Sequence, residues 1–512
     1  MAYLNIGPDE VNNISNLTLD DSLMSSLPVR LIEKHHILPL AIEDGVLIIG
    51  TDQPHNIELK DLIEQEVQGP CHLVRVDIFE LQHALISHFG RFEEVFESVS
   101  DFKGGVEKEA EASFLVRELD PVSLILVKGQ PSWVQIVDML FYYAITHRAS
   151  DIHIEPGKDK LNIRLRIDGV LHLFQSLPSS AAVVIGNIIK IDAGMDIAES
   201  RLPQDGQFII QIRDRQVNLR VATIGAIYGE KITIRIHDSY QIYHHLSELG
   251  FSEYHESLLI QGSTRSSGLM LVTGPTGSGK TTTLYALLDK INDVSRQILT
   301  VEDPVEKRLD WINQVEVNAK INMDFARTCR SFLRQDPDVI LVGEIRDQET
   351  VSVAVQNALV GALLLSTLHC NDAVRSIDRL CNLGLTRYIV STVLNMVVSQ
   401  RLARRVCNEC SESYSPDPKL LKQIGLKKKS YKRGKGCKSC LGTGYYGRVA
   451  LVEILEINTH LRSQIYEERS FLVIRNAAID QGFVPMINDA REKVSKGLTT
   501  IEEVARVMEI NE

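Results

Sequence analysis

Gly274-Pro275-Thr276-Gly277-Ser278-Gly279-Lys280-Thr281 reads GxxxxGK[ST], a P-loop. Its glycines let the backbone fold tightly and aim several N–H groups at phosphates. The following helix adds its positive end. Lys280 can reach the β and γ phosphates, and the Thr281 hydroxyl can ligate Mg²⁺. Thr282 completes the nucleotide-binding set. The context fits. Leu269-Met270-Leu271-Val272-Thr273 is a short apolar run expected to be a buried strand. Thr281 to Ile291 has helical spacing, with Leu284, Leu287, Leu288 and Ile291 on one face. Strand, glycine-rich turn and helix is the arrangement a P-loop requires.

Outward from this loop the pattern is strand–helix alternation. Apolar strands are expected at 269–273, 297–301, 338–342 and 362–368, which predicts an α/β domain with a mostly parallel sheet. Two acids follow such strands. Glu302 opens Glu302-Asp303-Pro304-Val305-Glu306, and Glu344 follows Asp338 to Gly343 as a variant Walker B. Strand ends are where such a sheet presents its chemistry, and a P-loop enzyme needs acids to hold Mg²⁺ and activate water. Glu344 is therefore a Mg²⁺ candidate with Thr281. Which acid serves the water stays open. His369 ends the next apolar strand and is read as a γ-phosphate contact.

Cys407-x-x-Cys410 and Cys437-x-x-Cys440 form a second constellation. Four thiolates in two knuckles can close a tetrahedral Zn²⁺ site, with every position filled by protein and the metal structural. The 26 residues between the knuckles make a long loop for a zinc ribbon. That loop carries Lys427-Lys428-Lys429-Ser430-Tyr431-Lys432-Arg433-Gly434-Lys435. It reads either as a solvated loop or as a patch for anionic lipid or an acidic partner. Cys71, Cys329, Cys370 and Cys381 are scattered and are read as core or surface residues.

Before the motor, residues 1–92 mix helical and short-strand patterns. Residues 93–129 are expected to be a flexible linker, because Phe92 to Ser113 is rich in Glu, Lys, Ser and Gly. A second domain over 130–240 opens with a helix near Val134 to His147. Strands follow at 161–167, 208–212, 217–223 and 231–236, with a hairpin tip at Arg213-Asp214-Arg215. The motor then spans 241–512 and ends in helices. At 512 residues and 44% apolar content the chain is an ordinary globular protein of several domains. Its net charge of −12 argues against nucleic acid as the main partner. No apolar run approaches the ~20 residues needed to span a bilayer. The start has neither the basic end nor the apolar stretch of a signal peptide, and a cytoplasmic protein is expected.

The ordered motifs resemble the GspE/PilB group of secretion ATPases, from about residue 27 onward. Ala149 to Pro156 (ASDIHIEP) and Arg201 to Gly206 (RLPQDG) precede the P-loop. Thr300 to Glu306 matches the family's Asp box, Arg334 to Asp347 its Walker B region, and Ser366 to Ala373 its His box. Gly442-Thr443-Gly444-Tyr445-Tyr446-Gly447-Arg448 follows the cysteines as in the family.

The resemblance implies an α/β fold. A RecA-like motor is preceded by a PAS-like α+β domain and a small N-terminal α/β domain, with a zinc-binding tetracysteine insert. It implies a homo-hexamer, peripheral at the bacterial inner membrane. Such a motor hydrolyses ATP for type II secretion or for type IV pilus assembly, working with a platform protein and the cytoplasmic domain of an assembly protein. The length and the insert argue against a retraction motor. The resemblance also places Arg220 and Arg235 of the second domain, and Arg330 and Arg334 of the motor, at the phosphates. Cys370 stands where the His box usually has Thr. Ala222 and Gly225 alter the segment around Arg220. The paired RLG-type cyclic-di-GMP motif of some relatives is not found, and that ligand is not expected. Two readings from other classes are a DNA-translocating zinc-ribbon ATPase, disfavoured by charge, and a scaffold that binds ATP without hydrolysis, disfavoured by the intact acids.

Overall fold

A computed structural model describes residues 21–24, 26–28, 31–32, 35, 37–43, 45–76, 81, 116–119, 131–212, 215–238, 245–427 and 429–508. The stretch 92–113, the tip residues Arg213 and Asp214, and Lys428 lie outside these. The chain divides into two compact units, Met1–Asp238 and Ser239–Glu512.

The first unit holds two sheets. In the smaller, β1 (Leu38–Glu43) pairs antiparallel with β2 (Val46–Thr51), which pairs parallel with β3 (Cys71–Arg75). The crossover between β2 and β3 is the helix Ile57–Val67, whose cap Asn56 accepts from the Leu59 N–H. Leu59 and Ile63 on that helix are buried with Leu38, Ile49 and Val74.

The larger sheet has seven strands in the order β4-β8-β9-β10-β5-β6-β7. They are β4 (Val116–Glu118), β5 (Ala149–Pro156), β6 (Lys160–Ile167), β7 (Val170–Pro178), β8 (Gln204–Ile212), β9 (Arg215–Ala226) and β10 (Gly229–Asp238). Ile152, Ile154, Leu219, Ile232 and Ile234 alternate inward and pack with the helices Trp133–Thr146 and Ala181–Asp192. Ser132 and Gln135 form a capping box at the first of these helices.

Within 93–129, the stretch expected to be a linker, residues 116–119 are described. Val116–Glu118 is a strand paired with β8, and Leu119 is buried in the core. Arg117 anchors it by bonding Asp138 at 2.5 Å and also Asp192, one acid on each helix. A partly buried guanidinium shared by two carboxylates makes strong, charge-assisted bonds.

In the second unit six strands run parallel and one antiparallel, in the order β13-β12-β14-β15-β11-β16-β19. They are β11 (Gly268–Thr273), β12 (Ile298–Glu302), β13 (Ile312–Glu316), β14 (Val339–Val342), β15 (Leu363–Leu368), β16 (Leu394–Val406) and β19 (Tyr445–Glu456). Leu269 and Leu271 face one core while Met270 and Val272 face the other. Burial on both faces is why these strands read as continuous apolar runs. Between β16 and β19 lies the insert, with β17 (Ser411–Tyr414) paired antiparallel to β18 (Tyr431–Gly434).

The last helix, Ile501–Met508, is fastened to β16 through Glu503. Glu503 accepts from the Arg404 N–H at 3.0 Å, from the Arg404 guanidinium at 2.9 Å and from Arg506 at 2.6 Å. Burial alone would raise this carboxyl, but Arg506 and Arg404 overrule it and hold the pKa at about 2. The folded value lies below the unfolded one. Its contribution is therefore complete above about pH 4.3 and is lost as pH falls through about 2. Glu503→Gln is expected to remove on the order of 3 kcal/mol at pH 7. Urea titrations followed by circular dichroism should show the gap from wild type narrowing steadily from pH 5 towards pH 2.

Candidate active site

The P-loop leaves the buried strand β11 and enters the helix Lys280–Ile291. Gly274 has φ of +149°, and a side chain there would press on the Gln400 carbonyl oxygen at 2.3 Å. Only glycine fits between the loop and β16. The helix begins after Gly279 with no side-chain cap, so its first N–H groups remain for an anion. Lys280 Nζ donates to the carbonyls of Gly274 at 3.0 Å and Pro275 at 3.1 Å. Burial lowers its pKa, and the charge of Glu344 opposes that shift.

Register places the other groups along the same edge. Thr273 is level with Leu368, Val342 with Ser366, and Val301 with Val342. Hence Glu302, Glu344 and His369 all emerge at the carboxyl ends of the strands. The Glu344 loop is tied down by Gly343 N donating to Val301 O at 2.8 Å and by the Thr367 hydroxyl donating to Gly343 O at 2.7 Å. A side chain at Gly343 would meet Val301 O at 3.3 Å. The glycine inside the variant Walker B keeps the chain close to β12.

Glu344 lies 2.9 Å from His369 Nε2 and 2.7 Å from Arg346. Burial pushes its carboxyl up, but Arg346, His369 and Lys280 together hold it below the usual carboxylate range. A charged acid is thus kept beside the P-loop lysine. Glu302 is buried and held differently, by Tyr285, Thr300 and Gln314. Thr276 and Gly277 are exposed at the tip of the loop, Ser278 is buried, and Thr281 is exposed on the first turn of the helix.

The four predicted arginines fall in two groups. Arg330 and Arg334 are exposed at the end of the helix Phe325–Phe332, where Arg330 bonds Glu349 at 2.5 Å. In the first unit Arg220 on β9 stands directly opposite Arg235 on β10. Like charges so placed repel unless an anion joins them. The row continues through Asp151 on β5 to Arg166 on β6. Asp151 lies 3.2 Å from Arg235 and 3.3 Å from Arg166. One acid thus holds two arginines on a face where Arg220 adds a third cation.

Gln400 gave no motif signal, yet it fixes the loop. Its side-chain amide donates to Ser278 O at 2.8 Å and accepts from the Thr283 hydroxyl at 2.8 Å. The readable sign was a glutamine two residues after the apolar run Met396-Val397-Val398.

The four cysteines converge, and their sulfurs all lie within 4.8 Å of one another. Cys407 and Cys437 are 3.8 Å apart, as are Cys410 and Cys440, while Cys437 and Cys440 are 3.6 Å apart. Tetrahedral Zn–S bonds of about 2.3 Å set sulfurs about 3.8 Å apart, so the cluster fits that ion. Backbone N–H groups of Gly436 and Gly444 donate to the Cys410 and Cys440 sulfurs at 3.3 and 3.2 Å. Such donors stabilise thiolate charge. Against its burial, the N–H and Sγ of Cys440 and the other sulfurs bring the Cys437 pKa down to about 7. Among the basic residues of the insert, Arg433 bonds Glu412 at 2.9 Å, and Lys429 lies over the Tyr431 ring at 5.2 Å.

Comparison with known proteins agrees with this geometry. The family described as Type II/IV secretion system protein matches residues 128–506. The chain belongs to that family. It is an ATP-hydrolysing enzyme of the secretion and pilus-assembly group. Residues 10–95 also match the MshEN domain. Type II secretion system protein E of Pseudomonas aeruginosa is 42% identical over 378 residues, 73% of this chain and 75% of that protein. Type II secretion system protein E of Pectobacterium carotovorum is 38% identical, covering 94% of this chain and 99% of that one. The type IV pilus assembly ATPase PilB of Acinetobacter baylyi is 34% identical, covering 95% and 84%. Among solved structures, the pilus retraction motor PilT with bound ADP aligns at a TM-score of 0.51 and 27% identity. It covers 73% of this chain and 96% of that one. The Legionella pneumophila ATPase DotB shares the fold at a TM-score of 0.57 and 22% identity, covering 75% of this chain and 96% of that one. Among the described residues no helix is long and apolar enough to cross a membrane.

Proposed function

We propose that this chain is a hexameric, Mg²⁺-dependent ATPase that powers assembly of a pilin-like fibre in type II secretion, at the cytoplasmic face of the bacterial inner membrane. The observation that carries the reading is Glu344, held charged by Arg346, His369 and Lys280 at the mouth of the P-loop. In this reading the P-loop amides and Lys280 hold the phosphates. Thr281 and Glu344 hold Mg²⁺, Glu302 and Glu344 share metal positioning and water activation, and His369 contacts the γ phosphate. Arg220, Arg235, Arg330 and Arg334 stabilise transition-state charge. ATP binding closes the second domain onto the motor, and hydrolysis reopens it. Zn²⁺ at the four cysteines is structural. The partners are a platform protein and the cytoplasmic domain of an assembly protein, with anionic lipid at the basic insert and no nucleic acid.

Type II secretion is preferred over pilus extension because the Pseudomonas and Pectobacterium type II proteins are 42% and 38% identical to this chain, whereas the Acinetobacter pilus ATPase is 34% identical. Deleting the gene in its host is expected to trap secreted enzymes inside the cell envelope and leave surface pili intact. Lost pili with normal secretion would transfer the assignment to pilus extension. ATPase activity stimulated by DNA would support a translocating motor instead.

A further inference from the structure

Tyr285 rides on the helix that follows the P-loop, with Leu284, Leu287 and Leu288 around it in the sequence. The residue is only 3% exposed, so its hydroxyl must find a partner inside the protein. That partner is Glu302, whose Oε2 accepts the Tyr285 proton. The same hydroxyl accepts from the Glu306 N–H at 3.3 Å and from Gln314 Nε2 at 3.4 Å. On its other oxygen Glu302 accepts from the Thr300 hydroxyl at 2.6 Å and from Gln314 Nε2 at 3.2 Å. Three elements therefore aim one carboxylate: the P-loop helix, β12 itself and the edge strand β13.

The two acids of the site are held by different chemistry. Arg346 and the charge of Lys280 offset the charge of Glu344. Among the described residues Glu302 has only neutral donors, which orient a carboxylate without cancelling its charge. Among the described residues Tyr285 supplies the one donor to Oε2. Phenylalanine would fill nearly the same volume, so packing alone does not call for the hydroxyl. Burial, and then the charge of Glu302, push the Tyr285 pKa well above its usual value, so the group remains a donor.

We propose that Tyr285 is a positioning residue for ATP hydrolysis, setting the orientation of the Glu302 carboxylate from the helix that carries Lys280. The proposal rests on the reading that Glu302 serves the reaction. It also links the two halves of the site. A shift of the P-loop helix moves the donor that aims the acid.

The test is a double-mutant cycle on the full-length protein, with steady-state kcat and KM for ATP measured by phosphate release. Tyr285→Phe is expected to lower kcat about tenfold and leave KM within about twofold. Glu302→Gln is expected to lower kcat about a hundredfold. The double variant should turn over at the rate of Glu302→Gln alone, because the hydroxyl then has no carboxylate to orient. Multiplied losses in the double variant would overturn the proposal, and so would wild-type kcat in Tyr285→Phe beside an impaired Glu302→Gln. A Glu302→Gln enzyme at wild-type rate would instead remove the underlying reading of Glu302. Should Tyr285→Phe fail to fold, Gln314→Leu probes the same carboxylate from a half-buried strand. There a loss in kcat with little change in KM is expected, and an unchanged kcat counts against the proposal.

Discussion

Lys280→Ala abolishes ATP turnover, with an expected loss in kcat of at least about a thousandfold. The size follows from where the lysine stands. In the proposed function it is the P-loop cation that reaches the phosphates; its amine lies over the carbonyls of Gly274 and Pro275, and its charge helps to keep Glu344 ionised. Alanine removes the phosphate contact and one of the cations that hold Glu344 below its usual pKa. The transition state loses stabilisation twice, while the fold loses little, because the amine bonds only loop carbonyls. Phosphate release compared with circular dichroism melting separates these effects. A folded Lys280→Ala protein with wild-type hydrolysis would refute the site.

The second large effect concerns the four cysteines. Freshly purified, reduced protein is expected to contain one Zn²⁺ per chain, and Cys407→Ser combined with Cys410→Ser is expected to contain none. Structural zinc contributes roughly 10 kcal/mol or more to isolated zinc-finger peptides. Here the damage should stop at the insert. Its helix Pro418–Ile424 buries Leu421 and Ile424 in a core shared with Ala490, Val494 and Val504 of the C-terminal helices. That core holds the middle of the insert without metal, while both knuckles lose their only common centre. Limited proteolysis should therefore begin at the knuckles, near 408–409 and 438–439, and leave the rest of the motor intact. Zinc-free protein with wild-type resistance at those sites would show that the cysteines are not a metal centre.

Much of the motor was readable because its physics is local. Strands buried on both faces are short apolar runs, and β11, β12, β14 and β15 lie within a residue of their expected limits. The acids and His369 are legible because each lies at the end of such a run or within two residues of it. What escaped depends on partners far away in sequence. Val116–Glu118 lies just after a polar stretch, and its pairing with β8 and its bonds to the acids at 138 and 192 involve residues distant in sequence. The long antiparallel pair β16–β19 carries arginines at its outer end, which interrupt the apolar pattern. The row Arg220–Arg235–Asp151–Arg166 is a property of strand register, and register spans dozens of residues. Tyr285 and Gln400 looked like ordinary residues of a helix and a strand until the groups they hold were in view.

β16 has a mechanical meaning. Gln400 grips the P-loop, and Cys407, seven residues on, opens the cysteine element. At about 3.3 Å per residue the two lie roughly 23 Å apart along one strand. Neighbouring strands brace it on both sides, β11 near the loop and β19 along most of its length. The β11 pairing ends at Ser399, and the register with β19 shifts between Arg404 and Val406. The strand that fixes the P-loop through Gln400 thus runs directly into the cysteine element, so the two share one length of backbone.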